Sequence, residues 1–167
     1  LNLTNNPVSS DLPLNATLTG TGDITSWEIN ASLPSGLTFE TSNGTIWGIP
    51  TELWNTTAYM VWANNSGGAA IAYLNITVVD EVPNISYSPD NLNLTNNTVS
   101  SDLPLLPTIT GPGDITSWEI NASLPSGLTF ETSNGTIWGI PTELWTRTAY
   151  MVWGNNSGGT AIAYLNI

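Results

Sequence analysis

The chain has no cysteine, no histidine and no lysine among its 167 residues, and its one basic residue is Arg147. Without cysteine there is no disulfide framework, and without cysteine and histidine the usual zinc ligands and the thiol nucleophile are missing. Histidine is also the commonest general base. The chain therefore lacks the residues on which most hydrolases and metalloenzymes depend. We therefore predict no catalytic residue and no metal ligand, and we do not expect an enzyme.

Positive charge and long apolar runs are scarce as well. Thirteen acidic residues against one basic residue give a net charge of −12. Binding to a phosphate backbone needs Lys and Arg to displace counterions, so nucleic acid is excluded as a partner. The apolar runs are far shorter than the ~20 residues of a membrane span, so none is predicted in this segment. The chain shows no signal peptide and starts at Leu1 rather than methionine, so we expect a processed or cropped segment.

What the sequence does contain is an internal repeat of 91 residues. The stretch LNLTNNPVSSDLPL from Leu1 recurs as LNLTNNTVSSDLPL from Leu92, and 67 of 76 aligned residue pairs are identical. The counterpart of residues 77–91 is missing before Leu1. We therefore expect the repeat to continue in a longer array and the first copy to lack its first strand.

Within each copy, apolar and polar residues alternate, with Gly, Pro and Asn interruptions every eight to twelve residues or so. Nothing in the pattern indicates a helix. In the second copy we predict strands near 85–87, 92–94, 105–110, 115–120, 128–131, 136–140, 149–154 and 161–167, which is seven strands with a split first one. The sequence thus predicts an all-β chain of two tandem β-sandwich domains, 1–79 and 85–167, joined by an acidic, proline-containing linker at 80–84.

Both copies carry the motif SLPSGLTFETSNGTIWGIP, followed by TAYMVW and NNSGG. In the first copy its hallmark parts are residues 33–37, 44–50 and 59–68. These residues resemble the He-PIG type of Ig repeat in prokaryotic surface proteins, archaeal ones included, which is related to cadherin-like, dystroglycan-type domains. The resemblance spans essentially the whole repeat. It implies Ig-like or cadherin-like sandwiches outside the cell, at the cell surface, used for adhesion or as spacers, with no catalytic residues to carry over.

The alternation also predicts which aromatic residues face outward. The resemblance makes Ile46 a core residue, so a period of two turns Trp47 outward. Tyr59 is either a tyrosine whose hydroxyl bonds back to the backbone or a plain core aromatic. With Tyr59 inward, the same count exposes further apolar side chains on the last two strands. The predicted interface residues are Trp47, Met60, Trp62, Ile71, Tyr73, Trp138, Met151, Trp153, Ile162 and Tyr164.

Exposed apolar patches of this kind usually mark an interaction site, with tryptophans as the strongest anchors. Because the patch is repeated, we predict self-association into a homopolymer or bundle. The alternatives are a register shifted by one residue, or coverage of the rings by linkers and glycans.

Asn-x-Ser/Thr sequons are unusually dense. They could be polar turns and edges only, but in the surface protein of a glycosylating cell several would carry glycans. The candidate sites are Asn2, Asn15, Asn30, Asn43, Asn55, Asn64, Asn75, Asn84, Asn93, Asn96, Asn121, Asn134 and Asn155.

The acidic linker raises the question of calcium. Asp80 and Glu81 could join Asp11, Glu52 and Asp114 in a clamp between domains, as in cadherin-like neighbours. The denser Asp-x-Asn-Asp-Asn type of motif is absent, so interdomain calcium is not favoured and no cofactor is predicted.

The leading functional prediction is a non-enzymatic structural or adhesive tandem-repeat protein of the cell surface, in its most specific form the subunit of an extracellular filament. The alternative is a carbohydrate-binding or spacer module of a larger secreted enzyme, because exposed tryptophans stack on sugars. That alternative predicts surface glycans as partners and a cleft with polar groups beside the rings. An enzyme ranks third, because the carboxylates are scattered one per loop.

Overall fold

The structure, a computed structural model, describes residues 1–167. Every regular element is a β-strand, so the all-β prediction is confirmed. The chain divides into two compact units, Leu1–Val79 and Asp80–Ile167. Residues 80–84, which the sequence analysis assigns to a linker, thus form the beginning of the second unit.

Unit 1 has six strands: β1 (Asn2–Thr4), β2 (Ser26–Ile29), β3 (Leu37–Phe39), β4 (Ile46–Gly48), β5 (Trp54–Asn65) and β6 (Gly68–Val79). One sheet has the order β1-β6-β5-β2, in which only the β1–β6 pair is parallel. Strands β3 and β4 form a separate antiparallel hairpin. A bridge between Leu14 and Ile46 attaches the preceding segment to this hairpin.

Unit 2 has seven strands: β7 (Asn84–Ser86), β8 (Thr108–Thr110), β9 (Ser117–Ile120), β10 (Leu128–Phe130), β11 (Ile137–Gly139), β12 (Ala149–Asn156) and β13 (Gly159–Asn166). One sheet has the order β13-β12-β9. The pairs β7–β8 and β10–β11 are both antiparallel, and a bridge between Leu105 and Ile137 links the segment before β8 to β11.

The strand predicted at 92–94 is wrong, although its counterpart in unit 1 is β1. Strand β1 exists because residues 2–4 pair with Thr77, Val78 and Val79. In unit 2 the equivalent stretch pairs only at its beginning, through an isolated parallel bridge between Asn91 and Asn166 and a bond of 2.8 Å from the amide of Leu92 to the carbonyl of Asn166. The predicted strand 105–110 shortens for a related reason, since only Thr108–Thr110 pairs continuously with a neighbour.

The β3–β4 turn explains the repeated Asn-Gly. The amide of Gly44 donates to the carbonyl of Glu40 at 2.8 Å, and Oδ1 of Asn43 accepts from the amide of Thr45 at 3.0 Å. Gly44 has a positive φ of 74°, and a Cβ there would run into the ring of Trp27. Glycine is therefore required both by the backbone conformation and by the indole that lies against the turn.

The alternation places the core where the sequence analysis expects it. Ile46, Tyr59 and Ile76 are fully buried in unit 1. The hydroxyl of Tyr59 donates to the backbone carbonyl of Ser32 at 3.2 Å, and its counterpart Tyr150 repeats this bond. Of the two interpretations of Tyr59, the tyrosine that bonds back to the backbone is the one observed.

Candidate interaction surface

The outer face of the β5–β6 hairpin carries four large apolar side chains. Met60 lies opposite Tyr73, and Trp62 lies opposite Ile71. Tyr73 is 74% exposed and Ile71 is about half exposed, whereas Met60 and Trp62 are half-buried. Cross-strand neighbours on one face of a sheet lie in side-chain contact range, so these four residues form one surface, here called the front patch of unit 1.

Unit 2 repeats this surface on the β12–β13 hairpin. Met151 pairs with Tyr164, and Trp153 pairs with Ile162. Tyr164 is 67% exposed, and Met151 and Trp153 are again half-buried. These four residues are the front patch of unit 2, so each unit presents the same apolar surface to solvent.

A polar border that the sequence analysis missed runs beside each front patch. Glu28 lies opposite Trp62 on the neighbouring strand β2. Nδ2 of Asn64 donates to a carboxylate oxygen of Glu28 at 3.0 Å and to the hydroxyl of Ser26 at 3.2 Å. The signal was available in the sequence, because an inward Trp27 turns its neighbours Ser26 and Glu28 outward. In unit 2, Asn155, Glu119 and Ser117 make the same contacts.

The remaining two predicted interface residues lie apart from the front patches. Trp47 and Trp138 are each 48% exposed, and they belong to the hairpins β3–β4 and β10–β11. Each pairs with a threonine, Thr38 or Thr129. Each therefore stands as a single exposed indole, without a second large apolar partner across the hairpin.

The thirteen sequons differ in their accessibility. Ten of the asparagines are exposed, and three are half-buried. Among those three, Asn64 and Asn155 already use Nδ2, the atom that a glycan would occupy, to bond Glu28 and Glu119. The third, Asn96, has a buried Oδ1 without a hydrogen-bond partner. Ten sequons are thus open on the surface: Asn2, Asn15, Asn30, Asn43, Asn55, Asn75, Asn84, Asn93, Asn121 and Asn134.

The acidic side chains are dispersed. Neither unit brings together three or more acidic residues that could hold a metal ion. A carboxylate oxygen of Glu52 accepts from the amide of Ser35 at 2.6 Å, and this bond lowers the pKa of Glu52. Asp80 bonds the hydroxyl of Ser157 in unit 2 at 3.0 Å. The carboxylates at these positions are occupied by local hydrogen bonds.

Comparison with known proteins gives a family and several relatives. The family model described as "Putative Ig domain" (He_PIG) matches residues 1–79 and 82–162. The serine-rich adhesins for platelets of Staphylococcus aureus strains MRSA252 and USA300 are 31% identical over 147 residues, or 87% of this chain. The chain spans only 10% and 6% of the lengths of these two adhesins.

Among solved structures, extracellular domains 3–5 of Drosophila OTK match at 20% identity with a TM-score of 0.51, covering 99% of this chain and 57% of that one. This likeness shows the fold alone, which is a tandem of Ig-like domains. The structure contains no helix long and apolar enough to cross a membrane. Together the family match and the surface adhesins that the chain resembles support an extracellular location at the cell surface.

Proposed function

The chain belongs to the He_PIG family of Ig domains, and we propose that it is a non-enzymatic structural repeat whose copies associate with one another through their front patches. The observation that carries the proposal is the cross-strand pairing of Met60 with Tyr73 and of Trp62 with Ile71 on a solvent-facing sheet, repeated in unit 2. An apolar surface of a few hundred Å² on a protein of this size usually marks an interaction site. In its most specific form, the assembly is an extracellular filament or bundle.

The charge of the chain makes this association dependent on salt. Each chain carries a net charge of −12, so two chains repel each other over long distances at low ionic strength. The four side chains of a front patch are themselves uncharged, and burial of Trp62 and Tyr73 supplies the attraction. Raising the salt concentration screens the repulsion and leaves the apolar contact in place. We therefore expect the assembly to grow stronger as salt is raised.

The direct test removes one tryptophan from each front patch. The double substitution Trp62→Ser and Trp153→Ser should convert the assembly into folded monomers, as measured by sedimentation velocity and by electron microscopy of the assembled material. The matched control is Val8→Ser with Val99→Ser, which removes two apolar side chains that are 75% and 74% exposed outside the patches. If the tryptophan variant assembles as the control does, or if the wild-type chain stays monomeric at high concentration, the proposal fails.

Carbohydrate binding is the second candidate, and the polar border favours it. Glu28 and Asn64 hold hydrogen-bonding groups beside the half-exposed ring of Trp62, as in sites where an indole stacks on a sugar and neighbouring groups bond its hydroxyls. Titration of the chain with oligosaccharides, followed by tryptophan fluorescence, tests this candidate. A saturable change that Trp62→Ser together with Trp153→Ser abolishes would support the carbohydrate-binding alternative.

We also propose that some of the ten open sequons carry glycans in the native protein. Their side chains are exposed to solvent, as attachment of a glycan requires. The intact mass of the native protein decides this point. A mass equal to that of the peptide alone would show that no sequon is used.

A further inference from the structure

One pair of equivalent open sequons lies directly beside the two front patches. Asn30 follows the last residue of β2, and its amide donates to the carbonyl of Met60 at 3.1 Å. Its counterpart Asn121 follows β9 and makes the same bond to Met151 at 3.0 Å. Each front-patch methionine therefore has a candidate glycosylation site as its neighbour on the adjacent strand.

The side chains of these two asparagines are held in one orientation by the same neighbours. Oδ1 of Asn30 accepts from the amide of Met60 at 2.9 Å, and Oδ1 of Asn121 accepts from the amide of Met151 at 3.0 Å. Because a backbone amide can only donate, the side-chain atom that faces it is the oxygen. Nδ2, the atom that carries an N-glycan, is thus turned away from the strand and makes no hydrogen bond in the structure.

The backbone after each asparagine is accessible to an enzyme. Residues 30–32 and 121–123, which are the complete sequons, are exposed at every position and belong to no strand. The other open sequons that occur in both units lie elsewhere, since in unit 1 Asn2 is on β1 and Asn43 is in the β3–β4 turn. Of the sequons shared by the units, only this pair combines access with a position beside a front patch.

A glycan on Asn30 would reach the apolar side chains of the patch. Directly opposite residues on neighbouring strands have Cβ atoms about 4.5–5.5 Å apart, and diagonal neighbours about 7–8 Å. Met60 is bonded directly to Asn30, and Trp62, which lies opposite Glu28, is its diagonal neighbour. Sugar rings attached to Nδ2 can therefore pack on the thioether and the half-exposed indole, while Glu28 offers carboxylate oxygens to their hydroxyls.

Attachment of the glycan leaves the contact with β5 intact. The co-reactant is a lipid-linked oligosaccharide whose C1 carries a phosphate leaving group. Nδ2 attacks this C1, the C1–O bond breaks, the phosphate leaves with the electron pair of that bond, and Nδ2 loses one of its two protons. Oδ1 takes no part in the transfer, so it still accepts from the amide of Met60 and fixes the direction in which the glycan leaves the sheet.

We propose that N-glycans on Asn30 and Asn121 cover the front patches and keep them from associating. A glycan is bulky and hydrophilic, and its first sugars occupy the space that a second chain needs in order to bury Met60 and Trp62. The inference rests on the proposed self-association and on the proposed use of the sequons. It makes glycosylation of these two asparagines the step that controls assembly.

Methionine oxidation tests the cover in the monomer. The chain has only two methionines, Met60 and Met151, so hydrogen peroxide and mass spectrometry report on each front patch separately. Ser32→Ala with Ser123→Ala removes both sequons and keeps both asparagines. In chains from a glycosylating host, this variant should form methionine sulfoxide about threefold faster or more than the glycosylated parent. Met151 gives the clearer result, because another open sequon, Asn75, lies on β6 beside the front patch of unit 1.

Two controls separate the glycans from the substitutions. Thr45→Val with Thr136→Val removes the sequons of Asn43 and Asn134 in the hairpin turns and should leave the oxidation rates unchanged. In chains from a bacterial host without N-glycosylation, the serine variant and the parent should oxidise at the same rate. A parent without glycans beside the patches, or equal oxidation of the parent and the serine variant in the glycosylating host, would overturn the proposal.

Sedimentation velocity on the same chains distinguishes this inference from the proposed function. The serine variant from the glycosylating host should associate about tenfold more tightly or better than its glycosylated parent, and as tightly as the unglycosylated chain. Equally strong association of the glycosylated parent would contradict the cover. If the unglycosylated chain stays monomeric while the glycan still protects Met60 and Met151, the proposed self-association fails and the cover is supported.

Discussion

Units 1 and 2 are identical at 67 of 76 aligned positions, yet their interiors differ. The buried residues of unit 2 form one continuous cluster that runs from Ile85 to Ile167. In unit 1 they separate into two clusters, one around Tyr59 and Ile76 and a smaller one of Trp27, Val61 and Ala63. Since the shared sequence is almost the same, the additional strand β7 accounts for the difference.

The comparison shows how a strand of three residues completes a core. Ile85 and Tyr87 bring two large side chains to one edge of the sandwich, and they cover alanines that are too small to close it themselves. The described residues begin at Leu1, after the counterpart of β7, and the corresponding alanines of unit 1, Ala70 and Ala72, are exposed beside a gap in the packing. Close packing in a protein interior does not tolerate such a gap without a loss of contacts.

The largest expected effect comes from removing the tyrosine that closes unit 2. Tyr87→Ala should destabilise unit 2 by about 3–5 kcal/mol, because it deletes a buried ring and leaves a cavity. Hydrogen exchange, read separately for β5 and β12, should then show faster exchange in β12 and no change in β5. The control Tyr73→Ala removes an exposed ring and should change stability by no more than about 0.5 kcal/mol. Equal effects of the two substitutions would mean that β7 does not complete the core.

Glycine-to-alanine substitutions at equivalent positions of the two units should have a smaller effect on stability, and this effect should differ between the units. Gly113→Ala and Gly158→Ala should each cost unit 2 about 1–3 kcal/mol, because the new methyl group collides with the backbone of the β7 segment. The identical changes in unit 1, Gly22→Ala and Gly67→Ala, should cost less than about 0.5 kcal/mol, since only the side chain of Asn65 must move. Denaturant unfolding of the four variants provides the measurement. A penalty as large in unit 1 would show that the backbone of residues 80 and 81 is not what requires glycine at 113 and 158.

At alkaline pH we expect unit 2 to lose more stability than unit 1. Burial raises the pKa of Tyr87 well above its ordinary value of 10.0. The folded unit holds this proton more tightly than the unfolded chain, so the stabilisation is complete below pH 10 and is lost as the pH rises above it. Tyr59 and Tyr150 have raised pKa values in both units, but only unit 2 has Tyr87. Hydrogen exchange above pH 10 should show unit 2 losing more stability than unit 1, and Tyr87→Phe should remove that excess.

The smallest expected effect is on stability at acid pH, and it should be equal in the two units. Hydrogen bonds from the amides of Ser35 and Ser126 lower the pKa of Glu52 and Glu143 below the ordinary value of 4.5. A depressed pKa gives stabilisation that is present above pH 4.5 and is lost as the pH falls below it. Because both bonds are 2.6 Å long and both carboxylates are exposed, Glu52→Gln and Glu143→Gln should have small and equal effects. Unequal acid sensitivity would show that the units differ beyond the β7 region.

Much of the fold could be predicted from the sequence because alternation and turn chemistry are local signals. The inward Ile46 and Tyr59 and the outward Trp47 and Tyr73 follow from a period of two once one residue is assigned to the core. The extent of the edge strands could not be predicted in this way. Residues 92–94 have the sequence of β1 but no strand beside them, and pairing partners lie far away in the chain.

Some residues of the candidate sites could likewise be predicted from the sequence, and others could be found only in the structure. The ten apolar residues of the predicted interface were identified from the sequence, whereas Glu28 and Asn64 emerged as their polar border only when β2 was seen beside β5. The contacts of β7 with the rest of unit 2 were also not foreseen, because the bond from the hydroxyl of Tyr87 to the carbonyl of Gly135 joins residues 48 positions apart.

The sequence by itself determined that this protein is a tandem of β-sandwiches with aromatic rings facing solvent. That information is carried by residues that are close in the chain, through the two-residue period of a strand and the glycine of each turn. Only the tertiary structure decided how β7 completes the interior of unit 2, with Ile85 and Tyr87 buried among residues far away in the chain. The reason is that a sandwich core is filled by strands distant in sequence, so whether Ala72 is buried depends on whether another segment lies above it.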